Sequence, residues 1–227
     1  MELQSVKAYL TELQANNNRD WYHAHKQDFV RANADFEAFI GAVMEGISAF
    51  DPDAASHHPK DLTFKLVRDT RFSHDKSPYQ PAFRAHIGPK GKLPIPVGYY
   101  IMLTPGNQSF LGGGLFADMF KDATAMVRQA IADKPEEWAD ILAAPSFSEY
   151  FTVGGTALKK VPAGFDPEHP QAAYLKHKSW YLEVPIQDEE LDDAEQLVDQ
   201  AVSMFARMKP FHDFLNDALA KFEMPSR

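Results

Sequence analysis

Between Leu62 and Leu111 the apolar residues alternate in short runs with no helical stretch among them. Over residues 6–47, 119–142 and 191–222 they recur every three or four positions. This change of period limits the fold strongly. Side chains two apart share one face of a strand, whereas side chains three or four apart share one face of a helix. Strands that follow one another without intervening helices pair mostly antiparallel. The chain therefore reads as a single α+β domain, a mostly antiparallel sheet of about five strands packed with N-terminal and C-terminal helices.

The expected strands are Leu62–Thr70, Phe83–Ile87, Val97–Thr104, Gln108–Leu111 and Trp180–Ile186, with a turn at Thr104-Pro105-Gly106-Asn107. In the first of them Phe64, Leu66 and Arg68 fall on one face, and Lys65, Val67 and Asp69 on the other. Ahead of the sheet, Val6, Tyr9, Leu10 and Leu13 make one helical face, and Asn16-Asn17-Asn18 ends it. Asn18 is placed to cap a second helix, whose stripe runs through Phe29, Ala32, Phe36, Phe39, Val43 and Ile47 and stops near Asp51-Pro52. After Gly112-Gly113-Gly114, a helix face runs through Met119, Ala123, Met126, Val127, Ala130 and Ile131, and a shorter helix opens at Pro135. A long helix follows the acidic run at Asp188, with Leu191, Ala194, Val198, Ala201, Phe205 and Met208 as its stripe. Pro210 is expected to end it, and Phe211, Phe214, Leu215, Ala218 and Phe222 to start another. The domain then divides into N-terminal helices over 1–50, a sheet core with a basic motif over 60–116, a mixed region over 117–187 and C-terminal helices over 188–224.

Charge points to where chemistry would sit. The net charge is −9, yet residues 60–92 hold eight basic and three acidic side chains, or +5, so the rest carries −14. A basic island on an acidic body suits a focused anion site better than a broad nucleic-acid face. The chain has no cysteine, which removes disulfides, thiolate metal sites and a thiol nucleophile. No basic, apolar leader opens it, and its longest apolar run, Val97–Leu103, is far short of the roughly 20 residues that span a bilayer. A cytoplasmic protein without membrane segments is the expectation.

The island centres on Arg68-Asp69-Thr70-Arg71-Phe72-Ser73-His74-Asp75-Lys76-Ser77-Pro78-Tyr79. Arg68 sits on the apolar side of its strand, and a buried unpaired charge costs several kcal/mol. It must therefore pair or bind an anion. Two readings stay open. In one, Arg68, Arg71, Lys76 and Arg84 grip a small phosphate or carboxylate, Asp69 and Asp75 orient those cations, and Tyr79 contributes its hydroxyl. In the other, the same arginines and aspartates form a structural ion-pair network, and function lies in partner binding. His86 and Tyr79 are the candidates for proton transfer. A nucleic-acid binder using Phe72, Tyr79, Phe83, Tyr99 and Tyr100 is a third class, opposed by the acidic remainder.

Other motifs say less. Gly112-Gly113-Gly114 reads either as an anion-binding nest or as a close approach of backbones; its spacing fits no nucleotide fingerprint. Trp21 and Trp180 read as ligand-stacking rings or as core anchors. The nine histidines show no metal-ligand spacing, so no metal and no cofactor is expected.

Four strings carry a resemblance. They are Asn16-Asn17-Asn18-Arg19-Asp20-Trp21-Tyr22; Arg68-Asp69-Thr70-Arg71-Phe72 through Lys76 and Tyr79; Gly98-Tyr99-Tyr100 with Leu111-Gly112-Gly113-Gly114-Leu115-Phe116; and Lys176-His177-Lys178-Ser179-Trp180. Together they resemble the domain of unknown function 2461 family over nearly the whole chain. The resemblance implies a basic residue, often Arg, three positions before Arg68, where this chain has Lys65. It carries no activity across.

Overall fold

The structure, a computed structural model, describes residues 1–116 and 120–225. Helix α1 (Leu3–Ala15) buries the expected Val6, Tyr9, Leu10 and Leu13. Asn18 caps α2 (Arg19–Ala24), its side-chain oxygen accepting from the Trp21 amide at 2.9 Å. The next helical stretch restarts at His25 as α3 (Lys26–Ile47), which buries Ala32, Phe36, Phe39, Val43 and Ile47. One helical turn, α4 (Pro59–Leu62), leads to the sheet.

Four strands form that sheet: β1 (Phe83–Ile87), β2 (Tyr99–Leu103), β3 (Ser109–Leu115) and β4 (Trp180–Ile186), in the order β1-β2-β3-β4 and antiparallel throughout. The expected strand at Leu62–Thr70 is not part of it. That segment bridges β1 only where Thr63 meets Ala85, then turns away so that Val67 bridges Tyr79. Pro78 and Pro81 supply no amide hydrogen, so the ladder cannot continue past the Arg68 amide bonded to the Pro78 carbonyl at 2.9 Å. The residue alternation still holds, with Leu66 buried and Val67 exposed.

Between β3 and β4 lie α5 (Lys121–Asp133), α6 (Pro135–Ala143), α7 (Pro145–Ser148) and α8 (Ala172–Leu175). Met119, expected on the face of α5, lies outside the described residues. The long helix α9 (Ala194–Ala218) follows, capped by Asp193. It runs through Pro210 instead of breaking there. Proline removes one helical hydrogen bond at a cost of about 3 kcal/mol. Burial of Phe205, Met208, Phe211, Phe214 and Leu215 in one continuous stripe offsets it, since each large apolar side chain contributes about 1.5–3 kcal/mol.

Helices α3 and α9 cover one face of the sheet. There Tyr99 meets Phe205 at 4.9 Å between ring centres, and Phe36 stacks on Phe83 at 5.3 Å. Trp180 is fully buried on β4 and donates to the Tyr174 carbonyl at 3.2 Å, a core anchor as one reading had it. The three glycines lie within β3, not at a helix start. A Cβ on Gly113 would stand 2.2 Å from the His212 ring of α9, so only glycine lets the helix come this close. Gly114, at φ +116°, is where the strand leaves ordinary β geometry. No helix among the described residues is long and apolar enough to cross a membrane.

Candidate functional site

The basic motif forms a small hairpin off the sheet. Its stem is held by the Gln80 amide on the Leu66 carbonyl at 2.7 Å and the Arg68 amide on the Pro78 carbonyl. Asn17 docks the hairpin on the N-terminal helices. Its side-chain amide donates to the Tyr79 carbonyl at 2.9 Å and accepts from the Tyr79 amide at 3.1 Å, as a neighbouring strand would. The Tyr79 ring is buried and stacks on Tyr22 at 4.2 Å.

A cleft of about 340 Å³ opens at this junction. Its walls carry Arg68, Lys76, Thr70 and Tyr79 from the hairpin, and Asn17, Asn18 and Arg19 from the turn between α1 and α2. Three cations thus converge from segments some fifty residues or more apart in sequence. Arg19 has no ion-pair partner among the described residues. Lys76 Nζ donates to the Thr70 carbonyl at 2.9 Å, a contact that leaves its charge uncompensated. Arg68 is partly satisfied, by a short ion pair to Asp75 and a 3.3 Å contact with Ser73 Oγ. Hydrogen bonds from Ser77 and then Arg68 hold the Asp75 carboxyl well below the usual range, so it stays ionised and fixes the Arg68 guanidinium.

The structure splits the candidates read from sequence. Arg68, Lys76 and Tyr79 line the cleft. Asp75 sits behind Arg68. Arg71 points outward in a two-pronged pair with Asp69, with Nε to Oδ1 at 2.9 Å and Nη2 to Oδ2 at 2.6 Å, and does not line the cleft. That contact lowers the Asp69 carboxyl and raises the Arg71 guanidinium. Phe72 is 94% exposed at the hairpin tip, where the Arg71 guanidinium lies 5.8 Å from its ring centre. Arg84 lies over the Phe64 ring at 5.5 Å and reaches the Lys65 carbonyl at 3.3 Å, on the sheet. His86 belongs to the sheet as well. It is buried, its Nδ1 is 3.0 Å from the Gly91 carbonyl, and desolvation lowers its pKa so that it stays neutral.

Arg19 and Asn17 line the cleft as well, although the sequence marks them only as part of the string Asn16–Tyr22. A residue read as a helix stop was in fact the clamp for a segment 62 positions away. A second cleft, of about 670 Å³, lies among α1, α2 and α3; its four carboxylates, Glu2, Glu12, Asp28 and Asp35, outnumber its one arginine, Arg31, which makes it a poor host for an anion. No group of His, Asp or Glu that would hold a metal ion occurs among the described residues.

No curated protein and no solved structure matches this chain. The sequence pattern of the family described as conserved hypothetical protein (DUF2461) matches residues 5–214, which hold the Asn17–Arg19 turn, the hairpin and every strand of the sheet. The chain belongs to that family.

Proposed function

We propose that the protein binds a small phosphate- or carboxylate-bearing molecule in the cleft between the Asn17–Arg19 turn and the Arg68–Tyr79 hairpin. The observation that carries this reading is the convergence of Arg19, Arg68 and Lys76 on one cavity whose lining holds no carboxylate. Arg68 is held for the purpose by Asp75, as a cation in a recognition site must be. Its ionisable side chains are Arg19, Arg68, Lys76 and Tyr79, a set in which three groups grip an anion and one could exchange a proton with it. A cytoplasmic setting, rich in such anions, is part of the reading.

A second reading has its own support. Arg68 pairs with Asp75 and Arg71 with Asp69, as in a purely structural network. Titration calorimetry with inorganic phosphate, citrate and adenosine monophosphate separates the two. Binding of at least one probe is expected, weakened about tenfold or more in Arg19→Ala and in Lys76→Ala, as loss of a charged hydrogen bond implies. If no probe binds below about 1 mM, or if both variants bind as the wild type does, the anion site is refuted. The structural network then stands.

A further inference from the structure

The sheet has a second face, turned away from α3 and α9. Strand register puts His86 opposite Tyr100, Tyr100 opposite Gly112, and Gly112 opposite Glu183. Paired residues of antiparallel strands project to the same side, so these four form one row across the sheet, roughly 14 Å from end to end. A cavity of about 310 Å³ opens over this row, at the lower end of the size of small-molecule sites.

Its walls are rings. Tyr100 stacks with Phe110 at 5.7 Å and leans on Phe116 at 5.8 Å and Phe64 at 6.4 Å. Phe116 is 40% exposed although it stacks on Tyr181 at 4.6 Å and 14°. Gly114 contributes bare backbone to the lining. Few polar groups enter, and each has a distinct character. Glu183 is a lone carboxylate, raised above its usual range by partial desolvation. His86 has Nδ1 committed to the Gly91 carbonyl, which makes Nδ1 the protonated nitrogen and Nε2 the lone-pair acceptor. Lys92 arches over Phe64 with its Nζ 5.9 Å from the ring centre and 3.0 Å from the Thr63 carbonyl.

The inner face shows what an ordinary core demands: apolar side chains fully enclosed. Here rings of the same size are left half-covered around a hollow. We infer that this face is a binding site for a planar heteroaromatic molecule of nucleobase size, its ring lying against Tyr100, Phe110 and Phe116 and its polar edge meeting Glu183 and Lys92. Flat aromatic walls favour a flat ligand, because offset ring stacking adds about 0.5–1.5 kcal/mol to area burial. A carboxylate accepts from ring N–H or amino groups, and an ammonium donates to ring nitrogens or carbonyls. A nucleobase edge offers both sets. The site shares no lining residue with the Arg19–Arg68–Lys76 cleft, so it stands or falls separately.

Ligand-observed NMR with adenine, guanosine, indole and cyclohexanecarboxylate tests the assignment. Adenine or guanosine is expected to bind, indole more weakly, and the non-planar acid not at all. Phe116→Ala and Glu183→Gln, both at accessible positions, should each weaken binding at least fivefold. Arg19→Ala should leave it unchanged. Far-ultraviolet circular dichroism of each variant confirms that it is folded. Binding of cyclohexanecarboxylate as well as adenine, no binding of any planar probe, or indifference to both substitutions overturns the proposal. So does tighter binding of a pentanucleotide than of its nucleoside, which would make the occupant a polymer.

Discussion

The two faces of one four-stranded sheet are built from the same strands and differ in almost every other respect. Toward α3 and α9 the strands present Phe83, Ala85 and Ile87, then Tyr99, Ile101 and Leu103, then Leu111 and Leu115, all fully buried or nearly so. Away from the helices they present Arg84, His86, Tyr100, Met102, Phe110 and Glu183, mostly half-covered. The inner face holds the fold together. The outer face keeps aromatic area, Arg84 and Glu183 in partial contact with solvent, with His86 buried beside them, which adds little to stability. Apolar surface left uncovered beside lone polar groups is where binding is to be sought.

The sharpest way to break this contrast is to cut one side chain from each face. Ile101→Ala removes a fully buried side chain and leaves a cavity, with an expected loss of about 2–5 kcal/mol. Phe116→Ala removes a larger but half-exposed ring, and should cost under about 1 kcal/mol. Urea melts of the two variants provide the check. Equal losses would mean that the outer ring is a structural part of the core and not the wall of a site.

How much of this was visible beforehand depends on whether a residue's role is local. The α1 stripe, the Asn18 cap and the alternation of β1 and β2 follow from spacing or from a hydrogen bond three residues away, so they were legible. Pro210 was misread because its local cost is real, while the burial that outweighs it comes from β3 and α6 packing on α9. The segment Leu62–Thr70 alternates as a strand does, but its partner is its own hairpin return, set by Pro78 and Pro81. The charges of the basic motif cluster in sequence, yet four of the five, Arg68 with Asp75 and Arg71 with Asp69, pair with neighbours seven and two residues off. Arg19 was out of reach because nothing local ties it to Lys76. Glu183 left a faint signal, a lone carboxylate in the middle of the Trp180–Ile186 strand.

The inner face also carries an ionisable group whose effect on stability has a definite sign. His212 packs between Tyr99 and Gly113, and neither ring nitrogen finds a partner among the described residues. Burial, then the neighbouring His86 and Lys209, push its pKa down to about 3. It is therefore neutral in the folded protein where an unfolded histidine, with a pKa near 6.5, is protonated. Below about pH 6.5 the unfolded chain binds one proton more, so stability falls as pH falls, by up to about 1.4 kcal/mol per unit. Asp35, Asp69 and Asp75 have lowered values and add losses of the same sign, but only near and below their normal range around pH 4. Urea melts between pH 4.5 and 7 thus report mainly the histidines, against an opposing contribution from Glu183, whose carboxyl is raised by desolvation. His212→Leu should flatten most of the slope, leaving the smaller share of His86 and His177, whose values burial also lowers. A slope unchanged in this variant would show that His212 is not held neutral.

The smallest effect is expected at the residue that the sequence made most conspicuous. Arg71 and Asp69 form a well-aligned pair, but both side chains are more than half exposed and the pair closes only a local turn. Exposed pairs of this kind contribute little, because water and salt screen them and two side chains must be ordered. Arg71→Ala should leave the melting temperature within the scatter of replicate scans, and binding of phosphate or citrate within a factor of two or so of wild type. Arg68→Ala should differ on both counts. Arg68 is only 23% accessible, anchors Asp75 and Ser73, and lines the cleft, so both stability and anion affinity should fall. An Arg71 variant that loses anion binding while Arg68→Ala keeps it would move the site from the cleft to the hairpin tip, where Arg71 lies over the exposed Phe72 ring. That outcome would make the exposed tip the recognition element and the enclosed arginine its support.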